Sequence, residues 1–340
     1  MGFPTSLLNT VTLSEFTDLV DKKFIQTQMM VPEVARKLFI YNNLAEHTGN
    51  TRRYDEVDTE TYGSLKPEGM NATLAKVGVG YNVTMVSKRI GKEIQITWEM
   101  RRFNKEPEVI GMLTSLGHFC PQRMELDLTH RFTFGNAASY VDADGVTQNI
   151  AGGDGLSILN TTHTLKFSPT TWNNLVPGAP AFSRGSLEAA EAITNTDILS
   201  NFGERRIINF NTIITSDDPS TTNTVREFLE STAAPAAPNS GVINVYRAKY
   251  DHVILRHMAT NALGQFDATK RRWWGLMAAG QSVAGWQAYL GVWETPHLIT
   301  PEIGNNAEDA HNDNWTYGSR CSYGIVALSG RGLIMSTPLN

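Results

Sequence analysis

The side chains best able to do chemistry occur in short, separate groups. Glu56, Asp58 and Glu60 stand at alternate positions, which places all three on one face of a strand. Paired carboxylates can share acid–base work, but the same spacing describes a solvated edge or an acidic stripe meeting basic residues of a neighbour. Gly280-Gln281-Ser282-Val283-Ala284-Gly285 approaches the nucleophile elbow of a serine hydrolase and is one residue too long for it. His118, His163, His252, His257, His297 and His311 lack the close spacings of a zinc motif. Asp142-Ala143-Asp144-Gly145 opens like a calcium loop, yet Thr147 and Ile150 to Gly153 supply neither the further oxygen ligand nor the late bidentate Glu. Gly78-Val79-Gly80 runs into Tyr81 and Asn82, where a phosphate-cradling loop needs another glycine. The reading is a chain with no catalytic, cofactor-binding or metal-binding residues, and not an enzyme.

The basic groups are more informative. Lys88-Arg89, Lys92 and Arg101-Arg102 form a cluster at one junction of the chain, and an ionic interface explains it better than nucleic-acid recognition. Lys270-Arg271-Arg272 beside Trp273-Trp274 could stack on bases, but a buried strand with snorkelling charges is the better reading.

Composition bounds the possibilities. The chain has 340 residues, 41% hydrophobic and 19% charged, which is globular and large enough for two domains. A net charge of −5 provides no overall basic field, which argues against tight nonspecific binding of nucleic acid by the whole surface and leaves room for a local basic face. Two cysteines, Cys120 and Cys321, among apolar neighbours rule out a disulfide framework and read as buried thiols of a cytosolic product. No apolar run reaches the ~20 residues of a membrane span, and no secretory leader is evident.

The elements that must position these groups centre on residues 52–140. Arg53-Tyr54-Asp55-Glu56-Val57-Asp58 leads through the turn-forming Lys66-Pro67-Glu68-Gly69 to Tyr81, Val83 and Met85, which alternate with polar residues. This predicts a long polar hairpin with limbs of roughly 15 to 20 residues, a reach of about 50 to 65 Å. Such a hairpin is marginal alone and needs a partner surface, for which a neighbouring subunit is the better candidate. Behind it, Val109, Leu113, Leu116, Cys120, Met124, Leu128 and Phe132 form one helical stripe over about 105–135, with Asn104 as cap and a kink or break expected at Pro121. The stripe alone equally fits the core helix of an α+β domain.

Elsewhere, short helices are expected in the first 50 residues, starting near Thr12 or Ser14 and interrupted by Pro32. Helices after Ser183 and Asp217-Asp218-Pro219 flank a strand within Arg206–Thr215. Val242–Tyr246, Arg271–Met277 and Val292–Thr295 read as further strands, and Trp315–Leu328 with Arg331–Ser336 as a closing strand pair.

The order of these parts resembles a known family. An N-terminal arm, a hairpin of Arg-Tyr-Asp and Pro-Glu-Gly character, Lys88-Arg89-Ile90-Gly91 before Ile96-Thr97-Trp98-Glu99-Met100, a spine helix, Asn160-Thr161-Thr162-His163, and the closing Arg320-Cys321-Ser322-Tyr323-Gly324 together resemble tailed-phage major capsid proteins of the HK97 fold, Mu-type head subunits in particular. That resemblance implies an α+β HK97-like fold with an N-terminal arm at 1–50, an extended E-loop at 52–98, a P-domain with the spine helix at 99–182, an axial A-domain at 183–305, and strands at 306–340 returning to the P-domain. It implies hexamers and pentamers of a shell around double-stranded DNA contacted non-specifically, a virion location, and portal, scaffolding and decoration proteins as partners, with no membrane. An encapsulin-like nanocompartment shell is the alternative. Inter-subunit contacts are expected at Arg53, Tyr54, Glu56, Asp58, Lys66, Pro67, Glu68, Lys88, Arg89, Lys92, Arg101 and Arg102.

Overall fold

The computed structural model describes residues 13–103, 106–233, 243–280, 285–301 and 314–339. In chain order the helices are α1 (Leu13–Gln28), α2 (Trp98–Arg102), α3 (Glu106–Thr133), α4 (Arg184–Thr196) and α5 (Pro219–Glu230). The strands are β1 (Ile40–Asn43), β2 (Thr51–Thr59), β3 (Val77–Val86), β4 (Lys88–Ile96), β5 (Ser139–Val141), β6 (Thr147–Asn149), β7 (His163–Thr164), β8 (Thr171–Trp172), β9 (Thr212–Thr215), β10 (Asp251–Ile254), β11 (Trp274–Met277), β12 (Gln287–Ile299), β13 (Trp315–Ser329) and β14 (Leu333–Ser336). This is an α+β chain. Among the described residues no helix is long and apolar enough to cross a membrane.

Two four-stranded sheets organise it, one ordered β1-β12-β13-β4 and the other β10-β9-β11-β14. The long β12–β13 ladder is antiparallel, and β13 also carries β4 from Trp315↔Ile96 to Tyr323↔Lys88. β13 and β14 do not form the expected closing pair, because β14 lies against β11 in the second sheet. Between them Gly330 and Gly332 let the chain cross tightly, since a Cβ at Gly332 would overlap the Trp286 backbone.

Helix α3 runs 28 residues without a break at Pro121. Its stripe serves two cores that meet near the proline. Val109, Leu113 and Leu116 pack with Phe16, Val20 and Phe24 of α1, whereas Cys120, Met124, Leu128 and Phe132 belong to the central core with Trp286, Tyr323 and Leu333. Side-chain burial on both sides of Pro121 holds the helix through the one missing hydrogen bond. The expected cap Asn104 lies outside the described residues. A third core gathers α4, α5 and the second sheet around Leu187, Val225, Phe228 and Trp274. Asp218 caps α5 with Pro219 at its first turn, and Ser183 caps α4 in a reciprocal pair with Ser186.

The expected strand at 242–246 is a turn over its described part. Ile243 makes a single antiparallel bridge with Ala233, and Asn244 then donates to the Phe228 carbonyl at 2.5 Å and accepts from the Tyr246 amide at 3.0 Å, a local competition that stops the bridge from extending into a strand.

Candidate assembly interface

The hairpin β2–β3 is shorter than its sequence suggests. Its limbs are 9 and 10 residues long, about 30 Å of ladder, and the chain leaves it at Val86. Lys88–Ile96, expected to continue the extended loop to residue 98, is the edge strand β4 of the first sheet. Beyond the ladder, residues 61–76 carry no regular element and are exposed throughout.

Three devices fix the base of the hairpin to its own subunit. The first is a knob: Met85 is fully buried over Gly291 and Gly324, which face each other across the β12–β13 ladder. A Cβ at Gly324 would lie 2.7 Å from Met85 Cγ and from the Val86 carbonyl oxygen, so glycine is required for this approach. The second is aromatic: Tyr54 stacks on Tyr289 with ring centroids 4.2 Å apart, and its hydroxyl accepts from Asn42 Nδ2 at 2.7 Å.

The third is ionic. The extra residue at the register shift opposite Asp55 and Val57 lies on β3, and plain alternation along β2 puts Tyr54, Glu56, Asp58 and Glu60 on the inward side, as the sequence spacing implied for the three carboxylates. Glu56 is the deepest of them at 3% exposure. There it pairs with the equally buried Arg331, while Arg206 stands at 3.9 Å. Arg331 Nη2 donates to Asn201 Oδ1 at 3.1 Å and Nε to the Leu199 carbonyl at 2.7 Å. Asp58 accepts the Asn201 amide at 2.9 Å, and Glu60 pairs with Lys76 across the neck at 3.1 Å.

Lys88 is likewise committed within the subunit. Its ammonium lies 2.8 Å from Asp142 and 3.4 Å from Asp127, and Arg123 reaches the same two carboxylates at 3.1 Å each. Burial pushes the Asp142 pKa up, but Lys88 and the amides of Val146 and Asp144 together outweigh it and hold the carboxyl below its ordinary value. The calcium-like Asp142-Ala143-Asp144 run is thus neutralised by side-chain cations, and among the described residues no cluster is set up for a metal.

The remaining candidates face outward. Arg53 pairs with Asp55 beside it, Arg89 stands 3.8 Å from Glu294, Lys92 sits over Phe119 at 5.2 Å, and Arg102 over Trp98 at 4.6 Å. Lys66, Pro67 and Glu68 are exposed at the tip. The side chain of Arg101 lies outside the described residues. The tip also exposes Tyr62, Leu65, Met70 and Leu74 at 64%, 91%, 64% and 90%. Trp273 and Trp274 are buried and present no face on which a base could stack.

Sequence reasoning missed Arg331, Asn201, Tyr289 and Met85 as the mount of the hairpin. One signal was available for Arg331, the only charged residue after Arg320 in a stretch that otherwise reads as closing core strands.

No protein-family model and no curated protein sequence matches the chain. A solved structure of Gordonia phage Cozz aligns with 89% of this chain and 85% of its own, at TM-score 0.51 and 12% identity. The chain has the HK97-like capsid fold. The Cyanophage Pam1 capsid asymmetric unit aligns at TM-score 0.49 and 14% identity over 88% of this chain and 87% of its own. A procapsid of bacteriophage JBD30 aligns at 0.44 and 12% over 97% and 77%.

Proposed function

We propose that the chain is a major capsid subunit of a tailed phage, non-enzymatic, which assembles as hexamers and pentamers into a closed shell around double-stranded DNA and resides in the virion. The observation that carries this is the contrast within the hairpin. Its base is bolted to its own subunit by Met85, Tyr54 and Glu56, while four large apolar side chains at its tip are left largely exposed among the described residues. A rigid mount with an uncovered apolar end suits delivery to another copy. Covering those side chains contributes about 1.5–3 kcal/mol each before ordering costs, and closed symmetry repeats the gain at every subunit.

Glu56 and Lys88 serve the subunit itself, so the charges offered to neighbours are the exposed Arg53, Lys66, Glu68, Arg89, Lys92 and Arg102. In this reading the extended loop is 51–86 together with its tip, and β4 belongs to the peripheral domain. Portal, scaffolding and decoration proteins are the further partners of such a shell. A variant in which residues 62–75 are replaced by a short turn tests the proposal. It should keep the far-ultraviolet circular dichroism of the full chain and remain small in light scattering, and shells of normal size from it would contradict the role given to the tip.

A further inference from the structure

Arg131 is an exception to the pairing around it. It sits on α3 with 7% exposure, in the wall of a cleft of about 1990 Å³ bounded by α3, β3, β4 and the β5–β6 hairpin. Its Nη1 donates to the Asn149 carbonyl at 3.0 Å, its Nε has no partner, and among the described residues it makes no ion pair. The neighbouring buried carboxylates are committed elsewhere. Asp127 serves Arg123, Lys88 and the Tyr323 hydroxyl, and Asp142 serves Lys88, Arg123 and Gln148. Asp144 pairs with Arg123 at 3.0 Å from the rim, where it is 62% exposed. Lys88 and Arg123 therefore take up Asp127, Asp142 and Asp144 between them, and Arg131 stands beside this group outside its ion pairs.

A guanidinium does not shed its proton in a protein, and a buried cation without a counter-ion is strongly unfavourable. The opposite wall adds Arg256 and His257, with Asp217 close enough to act on His257, and the remaining carboxylate of the lining, Glu125, is occupied by the amides of Val34 and Ala35 at 2.9 and 2.6 Å. We propose that Arg131 is the floor of an oxyanion site, at which a carboxylate or phosphate group entering the cleft from outside the subunit completes the buried charge balance. The planar fork of the side chain suits two parallel hydrogen bonds to such a group.

Inorganic phosphate is the probe. Dissociated full-length subunits are titrated with it at constant ionic strength and followed by thermal unfolding, beside Arg131→Lys and Arg131→Met. The proposal predicts a saturable rise in melting temperature of about 2–4 °C for the unaltered chain, a smaller rise for the lysine variant and none for the methionine variant. Phosphorus NMR gives a second readout on the unaltered chain, with phosphate line broadening reversed by excess acetate. No saturable response from dissociated subunits, or the same response from Arg131→Met, overturns it. Assembled protein separates the two sources of the anion. Loss of the phosphate response on assembly identifies a carboxylate of another copy, and an unchanged response identifies a free oxyanion.

Discussion

Removing the Glu56 carboxylate should detach the hairpin from its mount. Glu56 and Arg331 have side chains 3% and 4% exposed, so their charges see little water. In Glu56→Ala the Arg331 guanidinium keeps Asn201 and the Leu199 carbonyl but loses its counter-ion, and the positive charge of Arg206 nearby adds repulsion that Glu56 had offset. Breaking one side of a buried pair costs about 3–5 kcal/mol. The isosteric Glu56→Gln should fall lower, at about 2 kcal/mol, because a hydrogen bond to the guanidinium survives. Removing both charges in Glu56→Leu/Arg331→Met should recover at least half of the loss, as apolar replacements of buried pairs do. The assay is urea unfolding of subunits carrying the shortened tip, so that assembly does not obscure the equilibrium, with limited proteolysis at 60–76 of the full-length chain as a separate local readout. A cost for Glu56→Ala below about 0.5 kcal/mol, or a double-mutant coupling below that value, would refute the argument, because surface pairs are worth no more.

Two further perturbations follow from the same geometry. Gly324→Ala places a methyl group 2.7 Å from both Met85 Cγ and the Val86 carbonyl, so it should cost about 1–3 kcal/mol in the urea assay and raise the proteolysis of the hairpin, with Met85→Ala partly rescuing the clash. For acid stability the relevant group is His130, which is buried with Nε2 3.2 Å from Thr260 Oγ1; that hydroxyl gives its proton to the His257 carbonyl, which leaves the imidazole as donor and its Nδ1 bare. Burial lowers its pKa from 6.5 to about 4, so its contribution is fully present above pH 6.5 and lost as pH falls from there toward 4, about 3 kcal/mol in all. In urea midpoints taken across that window, His130→Gln should flatten the pH dependence, and an unchanged slope would contradict the assignment.

Local patterns carried the main elements. The stripe from Val109 to Phe132 specified α3, Asp218-Pro219 specified the start of α5, and the apolar density after Trp315 specified β13. Long-range pairing was not legible. Glu56 and Arg331 are 275 residues apart, and while alternation along β2 places this carboxylate on the inward face with Val57 outward, nothing local says which cation it meets there. The same holds for Lys88, whose charge looked available until α3 and the loop at Asp142 were folded against it. Pro121 misled for a related reason, since burial on both sides outweighs one missing hydrogen bond. The turn-forming Lys66-Pro67-Glu68-Gly69 made the turn of the hairpin legible, whereas the exposure of Tyr62, Leu65, Met70 and Leu74 beside it was not, because apolar side chains by themselves ask for burial.

The central claim is that this subunit builds closed shells, and the most direct test is electron microscopy of the purified full-length protein with light scattering on the same sample. The account predicts round shells tens of nanometres across, or rings of six and five subunits that close when a scaffolding protein is supplied. A protein that stays monomeric or dimeric at high concentration and with scaffold present, its hairpin tip still open to protease, would contradict it.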